Sequence, residues 1–175
     1  YNFNRILYYM SKARSRLNLK GSAYIKKDDD WETPSKCLEC LIPYIKENDI
    51  IYDPFYCNGL VIEEWAKLNR KCINEDKNAF DREPPEFNIL VSNIPFSLKK
   101  ECMELAMSYN KPFALLMPID SLGSKWIKKF FDKIQIIVPN GRWCFMKKDK
   151  KTNSAWFDTC WITYGLNLPE KMIKL

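Results

Sequence analysis

Three short strand-like runs in this sequence stop at side chains that can accept hydrogen bonds. Asn88-Ile89-Leu90-Val91 runs into Ser92-Asn93-Ile94-Pro95-Phe96, Ile50-Ile51-Tyr52 into Asp53-Pro54-Phe55, and Lys71-Cys72-Ile73-Asn74 into Glu75-Asp76. A short β-rich run closed by an amide, a proline and an aromatic reads as a buried parallel strand opening onto a ligand crevice. Such residues hold and orient donor groups without forming a covalent bond. The sequence contains no histidine, which excludes histidine triads and most zinc sites. Its seven cysteines are odd in number and scattered through apolar segments, as reduced core thiols would be. Cys37 and Cys40 form a C-x-x-C without a second pair to complete a metal site.

The elements that must position these residues are legible in order. At 175 residues and 46% hydrophobic, the chain is large enough for one globular domain with a real core. No run approaches the roughly 20 apolar residues of a membrane span, and no signal-peptide core opens the sequence, so a soluble, intracellular protein is expected. Residues 1–27 carry seven basic side chains and no acid, against a net charge of +6 for the whole, so residues 28–175 sum to about −1. In residues 2–19, Phe3, Ile6, Leu7, Met10 and Leu17 recur at helical spacing, with Arg5, Lys12 and Arg16 on another face. Residues 1–27 therefore read as a basic amphipathic helix and arm, either a clamp on a polyanion or a solvated face, ahead of a core domain over 28–175.

Thr33-Pro34 is a helix start, with the hydroxyl as N-cap and proline at the first helical position, followed by Cys37, Leu38, Leu41, Ile42 and Ile45 on one face. Leu60 to Asn69 reads as a helix with Trp65 and Leu68 inward, and Leu98, Cys102, Leu105 and Ala106 mark another. Pro112 to Ile119 is an apolar strand buried on both faces. Trp126, Ile127, Phe130 and Phe131 form a further helical stripe. Gln135–Val138, a turn at Pro139-Asn140-Gly141, Arg142–Met146 and then Trp156–Tyr164 read as strands. Only five residues separate Asp81 from Phe87, so a strand between the second run and the Asn93 run is very short.

Asn93-Ile94-Pro95-Phe96 resembles the Asn-Pro-Pro-Phe/Tyr signature of amino-group methyltransferases that use S-adenosylmethionine, with Ile94 replacing the first proline. Residues 53–59 are similar to the Asp-Pro-Phe-x-Gly-x-Gly cofactor loop of the same enzymes, keeping Asp53, Pro54, Phe55 and Gly59, with Cys57 in place of one glycine. Trp31-Glu32-Thr33-Pro34 resembles the stretch ahead of the first strand in adenine methyltransferases that helps hold the methionine end of the cofactor. Residues 136–161 are similar in layout to the C-terminal part of phage-type adenine methyltransferases. The resemblance covers residues 31–165, with the motifs in the family's order.

What the resemblance implies is specific. The fold is expected to be a doubly wound, Rossmann-like α/β sheet of six or seven strands, mainly parallel, with an antiparallel C-terminal strand. The cofactor is S-adenosylmethionine, held by Trp31, Thr33, Pro34, Asp53, Pro54, Phe55 and Gly59. Loop amides lie near its carboxylate, Asp53 accepts from its ammonium, and Asn58, tolerant of left-handed geometry, carries part of the turn. An acid after the second strand accepts the ribose hydroxyls; spacing favours Glu75 and leaves Asp76 open. Asp81 falls where the family often has an acid near the cofactor's adenine amine. Asn93 and the Ile94 carbonyl accept from the target amine, Pro95 shapes the loop, and Phe96 stacks on an extruded base. Two acceptors pull the amine nitrogen toward sp³ geometry, which turns its lone pair to the methyl group.

The implied reaction is methyl transfer to the N6 amine of adenine, in DNA before RNA, with no metal. Arg142, the Lys147–Lys151 loop with Lys147 and Lys148, and Arg5, Lys12 and Arg16 are candidate phosphate contacts. A partner subunit is the alternative source of target recognition. The alternatives are an RNA adenine methyltransferase and a subunit that binds nucleic acid or a partner without turnover.

Overall fold

The computed structural model describes residues 31–147, 150–151 and 158–175, and places side chains for 31–145 and 158–175. The predicted basic helix with Arg5, Lys12 and Arg16 lies outside the described residues, as does Lys148; Lys147 is placed by its backbone alone.

A seven-stranded sheet organises the chain. Its strands are β1 (Ile50–Tyr52), β2 (Lys71–Ile73), β3 (Ile89–Asn93), β4 (Phe113–Pro118), β5 (Ile134–Val138), β8 (Thr159–Tyr164) and β9 (Met172–Lys174), in the spatial order β2-β1-β3-β4-β8-β5-β9. β1 pairs in parallel with β2 and β3, and β3 with β4. β8 runs antiparallel to both β4 and β5, and β9 is parallel to β5. The expected sheet is thus present, with one reversed strand. That strand, β8, is the penultimate one in sequence, and β9 closes the edge of the sheet beyond β5.

The pleat explains why β4 is apolar throughout. Phe113, Leu115 and Met117 face one core cluster, whereas Ala114 and Leu116 face the other. Helix α3 (Lys99–Ser108) covers the first face with Cys102, Met103, Leu105 and Ala106. The other is covered by α1 (Ser35–Leu38), its 3-10 continuation Glu39–Tyr44, and α2 (Leu60–Lys67), through Leu38, Leu41, Val61 and Trp65. Helices on both faces make the sheet doubly wound, as expected.

Four local expectations are corrected. Thr33 does not cap α1: Pro34 is the N-cap residue and has no side-chain cap. The helix amide of Ser35 instead donates to Glu64 Oε2 of α2 at 2.7 Å, so the cap comes from a residue distant in sequence. Glu64 is buried, and its other oxygen accepts from Lys67. Glu64→Ala is expected to lower stability by about 1–2 kcal/mol in urea unfolding, the usual effect of losing an N-terminal cap.

The stripe at 126–131 is not an α-helix. It is formed by a turn that runs into the 3-10 helix Lys128–Phe130, where Ile127 and Phe130 are both buried and residues three apart eclipse in that tighter helix. Phe131 is exposed. Arg142–Met146 does not form a strand, since both edges of β5 are taken by β8 and β9. Phe145 packs into the core there, and the Trp143 ring centre lies 6.2 Å from that of Trp161. Among the described residues, Met146–Lys147 (β6) pairs with Lys150–Lys151 (β7), a two-residue ladder across the predicted basic loop. Finally, β9 was not expected: a three-residue edge strand beside Pro169 carries almost no pattern of its own.

Candidate active site at the tips of β1 and β3

β1 lies between β2 and β3, so the chain leaves it in one direction to form β2 and returns on its other side to form β3. This is the switch point of the sheet, where strand tips diverge and leave a crevice. The Asp53 loop leaves β1 and the Ser92–Phe96 segment ends β3. They meet directly: Ser92 Oγ donates to Asp53 Oδ1 at 2.6 Å. Trp31, Thr33, Asp53, Phe55, Gly59 and Asn93, all predicted from sequence, wall one cavity here, together with Glu32, Cys57, Val61 and Asn74. Its volume is about 20 Å³, room for about one water-sized group. A larger ligand could seat only one small group in it.

Asn93 Nδ2 donates to the Trp31 carbonyl at 3.1 Å. Only the amide nitrogen can donate to a carbonyl, so this bond fixes the side chain's orientation. Asn93 Oδ1 is then buried with no hydrogen-bond partner among the described residues. A lone acceptor of this kind is costly unless something else completes it.

Asp53 is 5% exposed. Burial pushes its carboxyl up to about 7, against the hydrogen bonds from Ser92 and the Phe55 amide, and with a further push from the nearby Glu32. The Phe55 amide donates to Asp53 Oδ1 at 3.1 Å and the Asn58 amide to Glu32 Oε1 at 2.8 Å. These two loop amides, expected to face a ligand carboxylate, are engaged by the protein's own acids. The corner is rich in acceptors and suits a cationic donor.

The turn of the 53–59 loop rests on Gly59, at φ +78°; neither Cys57 nor Asn58 has positive φ. Asn58 therefore does not carry the turn as expected, and a cysteine at 57 imposes no backbone strain. A Cβ at 59 would also sit 3.1 Å from the Tyr56 ring. Gly59→Ala is expected to cost about 1–2 kcal/mol, the usual left-handed penalty, read as a lowered midpoint in thermal unfolding.

The other predicted residues do not line this cavity. Pro54 and Pro95 are buried and Pro34 half-buried. Ile94 is a core side chain packed with Leu98, and Phe96 is half-buried against the same cluster. Glu75 stands beyond the tip of β2 with both oxygens engaged, Oε1 by Lys77 at 2.8 Å and Oε2 by Arg82 at 2.5 Å. Those ion pairs hold its carboxyl below the usual range. Asp81 is exposed and accepts from Asn78 Nδ2. Arg142 pairs with Asp158 at 3.0 Å on the surface. Burial pushes the Cys37 and Cys40 thiols up to about 12, so both stay protonated at neutral pH.

Sequence reasoning missed two site residues. Glu32 sits inside the Trp-Glu-Thr-Pro stretch and was passed over, although an acid between apolar and helix-starting residues is the available signal. Asn74 gave no signal beyond ending a strand.

No protein-family profile and no curated protein sequence matches the chain. Among solved structures, a dimethyladenosine transferase from Plasmodium falciparum is 12% identical with TM-score 0.49, over 77% of this chain and 62% of that one. The chain thus spans less than two thirds of that neighbour. A putative class I S-adenosylmethionine-dependent methyltransferase from Listeria monocytogenes is 13% identical with TM-score 0.48, over 99% of this chain and 73% of that one. At such distances neither neighbour carries a function to this chain.

Proposed function

We propose that this chain is an S-adenosylmethionine-dependent methyltransferase acting on the N6 amine of adenine in nucleic acid, DNA before RNA. The observation that carries the reading is the buried, unpartnered Asn93 Oδ1 at the tip of β3, beside the acidic pocket at the tip of β1. A target amine supplies the missing donor, and a cationic amino group suits Asp53. When bound, the cofactor supplies the activated methyl group.

The chain's own residues hold and aim. Asn93 Oδ1 and the Ile94 carbonyl accept from the amine and favour its tetrahedral form. Phe96 offers a ring face to the base. Ile94 lacks the fixed φ of the proline it replaces, yet its buried side chain anchors the loop by packing, worth about 1.5–3 kcal/mol. Arg142, Lys147, Lys148 and the basic N-terminal residues would track phosphates, with a partner subunit supplying any finer target recognition.

One observation favours a second reading. Both oxygens of Glu75 are already held by cations, so a ribose would have to share an acid that is committed to two ion pairs. A nucleic-acid-binding subunit without turnover would tolerate that.

Incubation with S-adenosylmethionine and matched DNA and RNA duplexes, followed by mass spectrometry of the nucleosides, tests the proposal. N6-methylated adenosine from DNA is expected. Methylation confined to RNA would move the substrate class. No methylated nucleoside together with no cofactor binding by calorimetry would leave the non-catalytic reading standing.

A further inference from the structure

Asn74 follows the last residue of β2 and belongs to none of the motifs read in the sequence. It is 7% exposed and walls the cavity between the two strand tips. Its Nδ2 donates to the Asp53 carbonyl at 3.0 Å, which orients the amide as the Trp31 carbonyl orients Asn93. Its Oδ1 is buried with no hydrogen-bond partner among the described residues. Two carboxamides in the wall of one cavity thus hold buried oxygens without a partner among the described residues, and both are fixed by bonds to backbone carbonyls.

The company they keep defines what could satisfy them. Asp53 and Glu32, both buried, border the same cavity. The donors next to these acids are engaged, Phe55 N by Asp53 and Asn58 N by Glu32. A carboxylate or phosphate would meet repulsion here, whereas a cation with several N–H donors would complete Asn74 Oδ1 and the neighbouring acids at once, leaving Asn93 Oδ1 for the target amine. An ammonium group has that charge, three donors, and the size of the water-sized cavity.

We propose that Asn74 Oδ1 accepts a hydrogen bond from the ammonium group of the ligand, making Asn74 a specificity residue for ligands that carry that group. This rests on the reading of the site as one for S-adenosylmethionine. Asp53 supplies opposite charge; Asn74 supplies direction, because a carboxamide oxygen held at one edge accepts along a narrow approach.

The test is calorimetry with S-adenosylhomocysteine and with its analogue lacking the amino group, on wild type, Asn74→Leu and Asn74→Asp. Wild type is expected to prefer the amino-bearing ligand. Asn74→Leu should weaken that ligand by about tenfold to a hundredfold, the scale of a charge-assisted hydrogen bond, and leave the analogue's affinity unchanged. Asn74→Asp keeps an acceptor while losing the donor to Asp53, and should retain the preference. Equal weakening of both ligands in Asn74→Leu would make Asn74 a support for the Asp53 backbone only, and overturn the assignment. Wild type binding both ligands equally would overturn it without any variant. Wild type binding neither would overturn the cofactor reading itself, and this assignment with it.

Discussion

Asn93→Ala is expected to lower methyl transfer by on the order of 10²–10³-fold while cofactor affinity stays nearly unchanged, the scale of removing one preorganised group from a reacting centre. The reason is the division of labour at the two strand tips. Asp53 and its neighbours lie at the end of β1, and Asn93 presents Oδ1 from β3 with no partner of its own. Alanine removes that acceptor and also the bond to the Trp31 carbonyl. Titration with S-adenosylhomocysteine separates the two consequences: a fall in binding equal to the fall in turnover would make Asn93 a clip for the 31–33 segment instead of a catalytic residue. Unchanged turnover would remove it from the mechanism.

Asp53→Asn is expected to weaken cofactor binding by about tenfold to a hundredfold at pH 8, the scale of a charge-assisted hydrogen bond, and to abolish its pH dependence. The substitution keeps an oxygen to accept from Ser92 and Phe55, removes the charge and turns the second oxygen into an N–H donor. In wild type, burial raises the Asp53 carboxyl from 3.8 to about 7. A cationic ligand needs the ionised form, so below about pH 7 binding must expel a proton. Affinity should rise about tenfold per pH unit toward 7 and level off above it.

Stability moves the other way. Between about pH 4 and pH 7 the folded chain keeps a proton that the unfolded chain has released, so wild-type stability falls as pH rises across that window and is flat above it. Asp53→Asn should remove that slope and be more stable than wild type at pH 8 in urea unfolding. A variant with wild-type pH profiles in both measurements would show that Asp53 does not titrate in the pocket.

The sheet was legible because its inner strands are short, apolar and bounded by turn residues, and β4 is apolar at six consecutive positions. The corner at β1 and β3 was legible because the residue types at the two tips resemble a known signature, and adjacency in the sheet then brings them together. What escaped has a common cause: it depends on partners far away in sequence. Glu64 caps α1 across 29 residues, and β9 exists only because β5 has a free edge. Asn74 matters only because β2 ends beside Asp53. Glu75 was placed correctly beyond its strand, but nothing in the local sequence showed that Arg82, seven residues on, folds back to hold it.

The peptide oxygen of Trp31 reaches across 62 residues to set the orientation of the Asn93 amide. Every amino acid brings the same oxygen, so conventional scanning, which exchanges side groups, is blind to this contact. A substitution at position 31 reports on the indole alone. Shortening the chain past that position, or an ester in place of the peptide link, is the kind of change that would let the amide turn.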